Sequence, residues 1–85
     1  MTFALKPDVS LTPTEHGTVL LDERRGRYFQ LNPTGTLVLR TLLDGATAHQ
    51  AAELLSERYG ITREQAATDV AALLENLRKR KLAGR

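Results

Sequence analysis

The chain has no cysteine and no tryptophan, a single methionine, and only two tyrosines and two phenylalanines. Without cysteine there can be no disulfide framework, no thiolate-ligated metal and no thiol chemistry, a pattern that fits a reducing compartment. Long apolar runs are missing too. None approaches the roughly 20 residues needed to cross a bilayer, so a membrane span is not expected. The opening segment Met1-Thr2-Phe3-Ala4-Leu5-Lys6-Pro7 has neither the basic start nor the apolar centre of a secretory signal, and a cytoplasmic location is expected. With 85 residues the chain can bury one modest core, so a single domain over residues 1–85 is expected.

Convergent chemistry is equally scarce. His16 and His49 lie far apart with no cysteine near either, so no metal site is expected. Ser10 and Ser56 have no base beside them. Asp22 and Glu23 are adjacent, and consecutive strand residues point to opposite faces, so the two carboxylates do not share a substrate; Arg24 and Arg25 are their better neighbours. Gly17, Gly26, Gly35, Gly45 and Gly60 stand singly, which leaves no phosphate-cradling loop. No catalysis and no cofactor are expected.

What is present is basic charge in clusters. Twelve lysines and arginines face ten acids, for a net charge of +2. The excess gathers in Arg24, Arg25 and Arg27, and in Arg78-Lys79-Arg80-Lys81 with Arg85. Such clusters suit acidic partners or nucleic acid; the plainer reading is solvated charge at a turn and a helix end.

The first third of the chain reads as strands. Val9 and Leu11 alternate with Ser10 and Thr12, Thr18–Asp22 is a second β-rich run, and Arg27–Leu31 a third. Pro13 to Gly17 turns the first into the second, and Glu23-Arg24-Arg25-Gly26 reads as a hairpin loop. A three-stranded antiparallel meander follows, with the second strand central and the other two as edges. After Asn32 everything reads as helix. Asn32-Pro33 is a cap with proline at the first helical position, and Val38, Leu39, Leu42 and Leu43 recur at helical spacing until Gly45. Thr47-Ala48-His49-Gln50 has the capping-box pattern, followed by Ala48, Ala51, Ala52, Leu55 and Tyr59 on one stripe and a stop at Gly60. Thr62-Arg63-Glu64-Gln65 repeats the capping box, and Ala66, Val70, Leu73, Leu74 and Leu77 form the stripe of a third helix expected to fray near Ala83. The class is α+β, a three-stranded antiparallel sheet followed by three helices, winged helix-turn-helix-like in its last two.

That likeness raises DNA binding as a rival. The helix starting at Thr62 would be the reading helix, but it carries Glu64, Asp69 and Glu75 beside Arg63. Phosphates repel carboxylates, so this face suits DNA poorly, and no nucleic acid is expected. The third strand offers more. It is an edge, rich in aromatics, free of proline and guarded by Arg27 alone, so it suits a peptide that adds itself as a fourth strand. About four backbone bonds of ~1 kcal/mol each fall short of the ~8 kcal/mol of a micromolar complex, so side-chain pockets beside the third helix must supply the rest. By alternation Phe29 and Leu31 face the core, which leaves Tyr28 and Gln30 laterally available. The plainer reading of each of these residues is core or sheet filling.

The run Leu20-Leu21-Asp22-Glu23-Arg24-Arg25-Gly26-Arg27-Tyr28-Phe29-Gln30-Leu31-Asn32-Pro33-Thr34-Gly35, with Asp69-Val70, Leu73, Leu74 and Leu77, resembles the PqqD-like domains. These are the recognition elements for ribosomally made, modified peptides (RiPPs). The likeness covers about residues 5 to 82 and is greatest to the stand-alone recognition proteins of lasso peptide pathways. The resemblance implies binding of a precursor's leader segment between the third strand and third helix, through a Tyr-x-x-Pro motif and a following hydrophobic residue. It further implies delivery to a transglutaminase-like leader peptidase upstream of an ATP-dependent macrocyclase. Carried onto this chain, the leader contacts are Arg27, Tyr28, Phe29, Gln30 and Leu31 with Ala66, Asp69, Val70, Leu73, Leu74 and Leu77. It does not divide the helical residues between leader and core. Arg24, Arg25, Arg78 and Arg80 are candidate partner contacts by charge clustering. An adaptor for another modified-peptide class and a DNA-binding winged helix stay open as alternatives.

Overall fold

Alternating apolar and β-branched residues produce three antiparallel strands in the computed structural model, which describes residues 3–84: β1 (Val9–Thr14), β2 (Gly17–Asp22) and β3 (Arg27–Leu31). Their order is β1-β2-β3, so β2 is central and β3 is an edge, as expected. The first hairpin is tighter than the sequence suggests. Thr14 pairs with Gly17 and Pro13 with Thr18, so only Glu15 and His16 form the turn. An edge strand tolerates Pro13 because its missing N–H can face away from the ladder. The second hairpin is held by Asp22, which is buried. Its Oδ1 accepts the backbone N–H groups of Arg24 (3.1 Å) and Arg25 (3.3 Å), so these arginines serve Asp22 through their backbone rather than their guanidinium groups.

Helix α1 (Pro33–Leu43) starts where Asn32 Oδ1 accepts the N–H of Gly35 at 2.8 Å. Helix α2 (Ala48–Tyr59) has the full capping box, with Thr47 and Gln50 bonded both ways, and ends at Gly60 with φ +65°. Its buried stripe is Ala51, Ala52 and Leu55; Ala48 and Tyr59 are exposed. Helix α3 (Arg63–Lys79) keeps only half of its expected box. Thr62 accepts from Gln65 N, but the Gln65 side chain turns along the helix and donates to Asp69 Oδ1 at 2.9 Å.

The end of α3 does not fray. Lys81 adopts φ +58°, Leu82 N–H returns to Leu77 O and Lys81 N–H to Arg78 O, the two bonds that close a helix in a Schellman motif. Leu82 is then buried, and Ala83 bridges Leu5, with Lys6 N–H on Leu82 O and Gly84 N–H on Ala4 O. Arg85, part of the basic tail, lies outside the described residues.

The core collects Leu20 and Leu31 from the sheet, Val38, Leu39 and Leu42 from α1, the α2 stripe, and Ala66, Val70, Leu73 and Leu77 from α3. Helix α1 is pinned to β2 where the Thr36 hydroxyl donates to the buried Thr18 hydroxyl at 3.1 Å. The strongest single constraint is steric. At Gly17 (φ +142°) a Cβ would sit 1.9 Å from Leu31 O, so β2 crosses the end of β3 closer than any side chain permits.

Candidate functional site

Antiparallel register assigns the two faces of β3. Phe29 pairs with Leu20 and Leu31 with Thr18, and both β2 partners are buried against the helices, so Arg27, Phe29 and Leu31 face the helical layer. Tyr28 and Gln30 pair with Leu21 and Val19 on the outer face of the sheet. Tyr28 is 73% exposed there. Because β3 is an edge, alternate residues also direct N–H and C=O groups sideways, where no other strand of the described residues receives them.

Beside that edge stands α3, but not against it. Among the described residues no Cα of β3 comes within 8 Å of a Cα of α3. The space between them is a solvent-open cleft of about 410 Å³. Its floor is apolar, formed by Phe29, Leu31, Val38, Leu55 and Leu73, and its rim is polar, with Asn32, Thr34, Asp69 and Asn76. Ala72 forms the helical wall, and its small side chain keeps the cleft wide. At the far end Arg80 lays its guanidinium over the Phe29 ring, 4.5 Å from the centroid. A smaller hollow continues from there, lined by Asp22, Arg27 and Leu82 with Phe29 and Arg80.

The structure thus brings together Phe29, Gln30, Leu31, Asp69 and Leu73 around the cleft, and Arg27 around the smaller hollow that adjoins it at Phe29. The remaining expected residues lie elsewhere. Ala66, Val70 and Leu77 are core residues and line neither the cleft nor the smaller hollow. Leu74 is half-buried on another side of α3, with Phe3, Ala71 and Ala83. Tyr28 borders the smaller hollow, but its place in the register puts its side chain on the outer sheet face, so it does not probe the groove floor. The basic residues also separate: Arg78 pairs with Glu75 on the side of α3 away from the groove, Arg80 sits in the groove, and Arg24 and Arg25 are exposed in the hairpin loop.

Sequence reasoning missed Asn32, Thr34, Gly35, Val38, Leu55, Ala72 and Asn76 as groove residues. A usable signal existed for two of them. Asp69, Ala72, Leu73, Asn76 and Arg80 recur at helical spacing one row beside the apolar stripe. Val38 and Leu55 carried no such signal, because their periodicity marks them as core whichever surface they also underlie.

The sequence profile of the Coenzyme PQQ synthesis protein D (PqqD) family matches residues 17–83, from the start of β2 to the bridge after α3. The chain belongs to the PqqD family. The match contains every residue that lines the groove. Among solved structures, lasso peptide synthetase B1 complexed with the leader peptide is 39% identical over 100% of both chains, with a TM-score of 0.93. The PqqD truncation of Methylobacterium extorquens PqqCD, a stand-alone RiPP recognition element, is 28% identical with a TM-score of 0.78, covering 98% of this chain and 88% of that one. TbiB1 in complex with the TbiA(beta) leader peptide shares the fold at a TM-score of 0.85 and 21% identity, over 94% of this chain and 93% of that one. A comparison with curated proteins finds no match. In this PqqD-family chain the three-stranded sheet followed by three helices is therefore the family's own architecture.

Proposed function

We propose that this PqqD-family domain binds the leader segment of a lasso precursor peptide and delivers it to a separate leader peptidase, with no chemistry of its own. The leader adds to β3 as a fourth strand and places alternate side chains in the groove before α3. The observation that carries this reading is the open β3 edge beside a cleft with an apolar floor. Backbone pairing gives affinity, and the pockets over Phe29, Leu31, Val38, Leu55 and Leu73 give the further apolar burial that a micromolar complex needs. Identity falls from 39% with the lasso peptide synthetase B1 to 28% with the PqqD truncation, which favours the lasso pathway over another modified-peptide class.

The test uses the leader peptide from the complex of the 39%-identical relative, made with single backbone N-methyl groups at successive positions. Methylation removes one N–H and leaves the side chain intact. In fluorescence anisotropy, methylation at alternate positions should weaken binding at least about tenfold, and the intervening positions should tolerate it. A uniform response along the peptide would mean that it does not bind as a strand. Delivery is tested separately. Incubated with the full precursor, this chain should leave the peptide uncut, and adding the leader peptidase should cleave it faster when the chain is present than when it is absent.

A further inference from the structure

The groove is electrically lopsided along its length. At one end lies Asp69, whose carboxylate is held by Gln65 at 2.9 Å. At the other, Arg27 and Arg80 flank Phe29, and both arginines are exposed. Among the described residues neither has an ion-pair partner, the two pairs there being His49–Glu53 and Glu75–Arg78. The carboxylate that shares their hollow, Asp22, is buried and already accepts the N–H groups of Arg24 and Arg25 at 3.1 and 3.3 Å. Two guanidinium groups therefore face the groove end against one engaged acid. Arg80 is also placed in advance: its guanidinium lies over the Phe29 ring, 4.5 Å from the centroid, and an aromatic ring satisfies the cation's charge without taking up its N–H donors, which can still serve a carboxylate.

We propose that Arg27 and Arg80 form a carboxylate-selecting subsite that reads an acidic side chain of the bound segment and fixes its register and direction in the groove. This deepens the leader-binding reading and rests on it. The helix supplies the ruler. Arg80 lies eleven residues after Asp69, about 16 Å at 1.5 Å per residue, which an extended peptide covers in about five residues at 3.3 Å each. An acidic residue is thus favoured at one position and disfavoured about five residues away, beside Asp69. A segment inserted backwards carries its acidic residue to Asp69 instead of to the arginines.

The experiment steps a glutamate, and separately a glutamine, through each position of the leader peptide from the complex of the 39%-identical relative and measures binding by anisotropy. At one position glutamate should bind about fivefold tighter than glutamine, and at a second, some five residues off, more weakly than glutamine. The preference should vanish in the Arg27→Gln, Arg80→Gln double variant and persist in Arg78→Gln, which removes the same kind of charge outside the groove. Circular dichroism establishes that the variants fold. Peptides that bind with no glutamate preference anywhere overturn the subsite and leave leader binding standing. So does a preference that survives the double variant or is lost in Arg78→Gln. Failure of every peptide to bind overturns both.

Discussion

At Gly17 a missing side chain decides geometry that reaches the binding edge. The absent Cβ would lie 1.9 Å from Leu31 O, and φ of +142° is a conformation L residues rarely adopt. Gly17→Ala should cost about 3 kcal/mol or more in urea denaturation and displace the end of β3 from its place beside Val38. Lys81 presents the opposite case. It occupies a left-handed position (φ +58°) that closes α3 and that glycine usually fills. Lys81→Gly should raise stability by about 1 kcal/mol by the same measurement, because relief of the Cβ clash outweighs glycine's greater freedom in the unfolded chain. The backbone of this one residue turns the chain so that Leu82 enters the core just after Arg80 enters the groove.

Among the elements, α3 is the one with two duties, and it divides them by rows. Ala66, Val70, Leu73 and Leu77 hold the core, while Asp69, Ala72, Asn76 and Arg80 form the groove wall, with Leu73 shared between them. Exposed alanines on the two sides of the helix separate the duties experimentally. Ala72→Lys should weaken leader binding at least about tenfold by filling the cleft. Ala67→Lys, in a hollow beside α2, should leave binding unchanged, and both variants should melt close to the original because mid-helix lysine is tolerated. The strands, the N-cap residues of all three helices and the apolar stripe are legible from spacing alone, since each depends on local hydrogen bonding and on the period of the backbone; the closure of α3 at Lys81 is not, because no glycine marks it. The row beside the stripe is not, because Ala72 and Asn76 look like ordinary solvent residues until β3 is placed more than 8 Å away across an open cleft. Tyr28 shows the same limit from the other side: alternation puts it opposite Phe29, but only the packing of the helices says which face is the groove.

For the molecule as a whole, measuring 37 × 31 × 20 Å, the sheet edge and the helical layer meet in a single recess that no one element forms. Occupation of that recess should be felt throughout the fold. Saturation at a hundred times Kd adds about 2.7 kcal/mol to the folded state, which for a chain of this size raises Tm by roughly 10–20 °C. Thermal melting with and without the leader peptide of the 39%-identical relative measures it, and an unmoved Tm at saturating peptide would count against binding to the folded form. The junction of Leu5 with Ala83 ties the segment before β1 to the segment after α3, so the two ends of the described chain close over Leu82 as one unit.

Local chemistry, read in order, determined the element sequence, the central position of β2 and the exposure of the β3 edge, because hairpin turns, caps and periodicities each act over a few residues. Tertiary structure alone decided which flank of α3 faces that edge, that Arg80 rather than Arg78 reaches it, and that Val38 and Leu55 floor the groove. These depend on distances between residues far apart in the chain, which are set by how the apolar stripes interlock and not by any pattern within one of them.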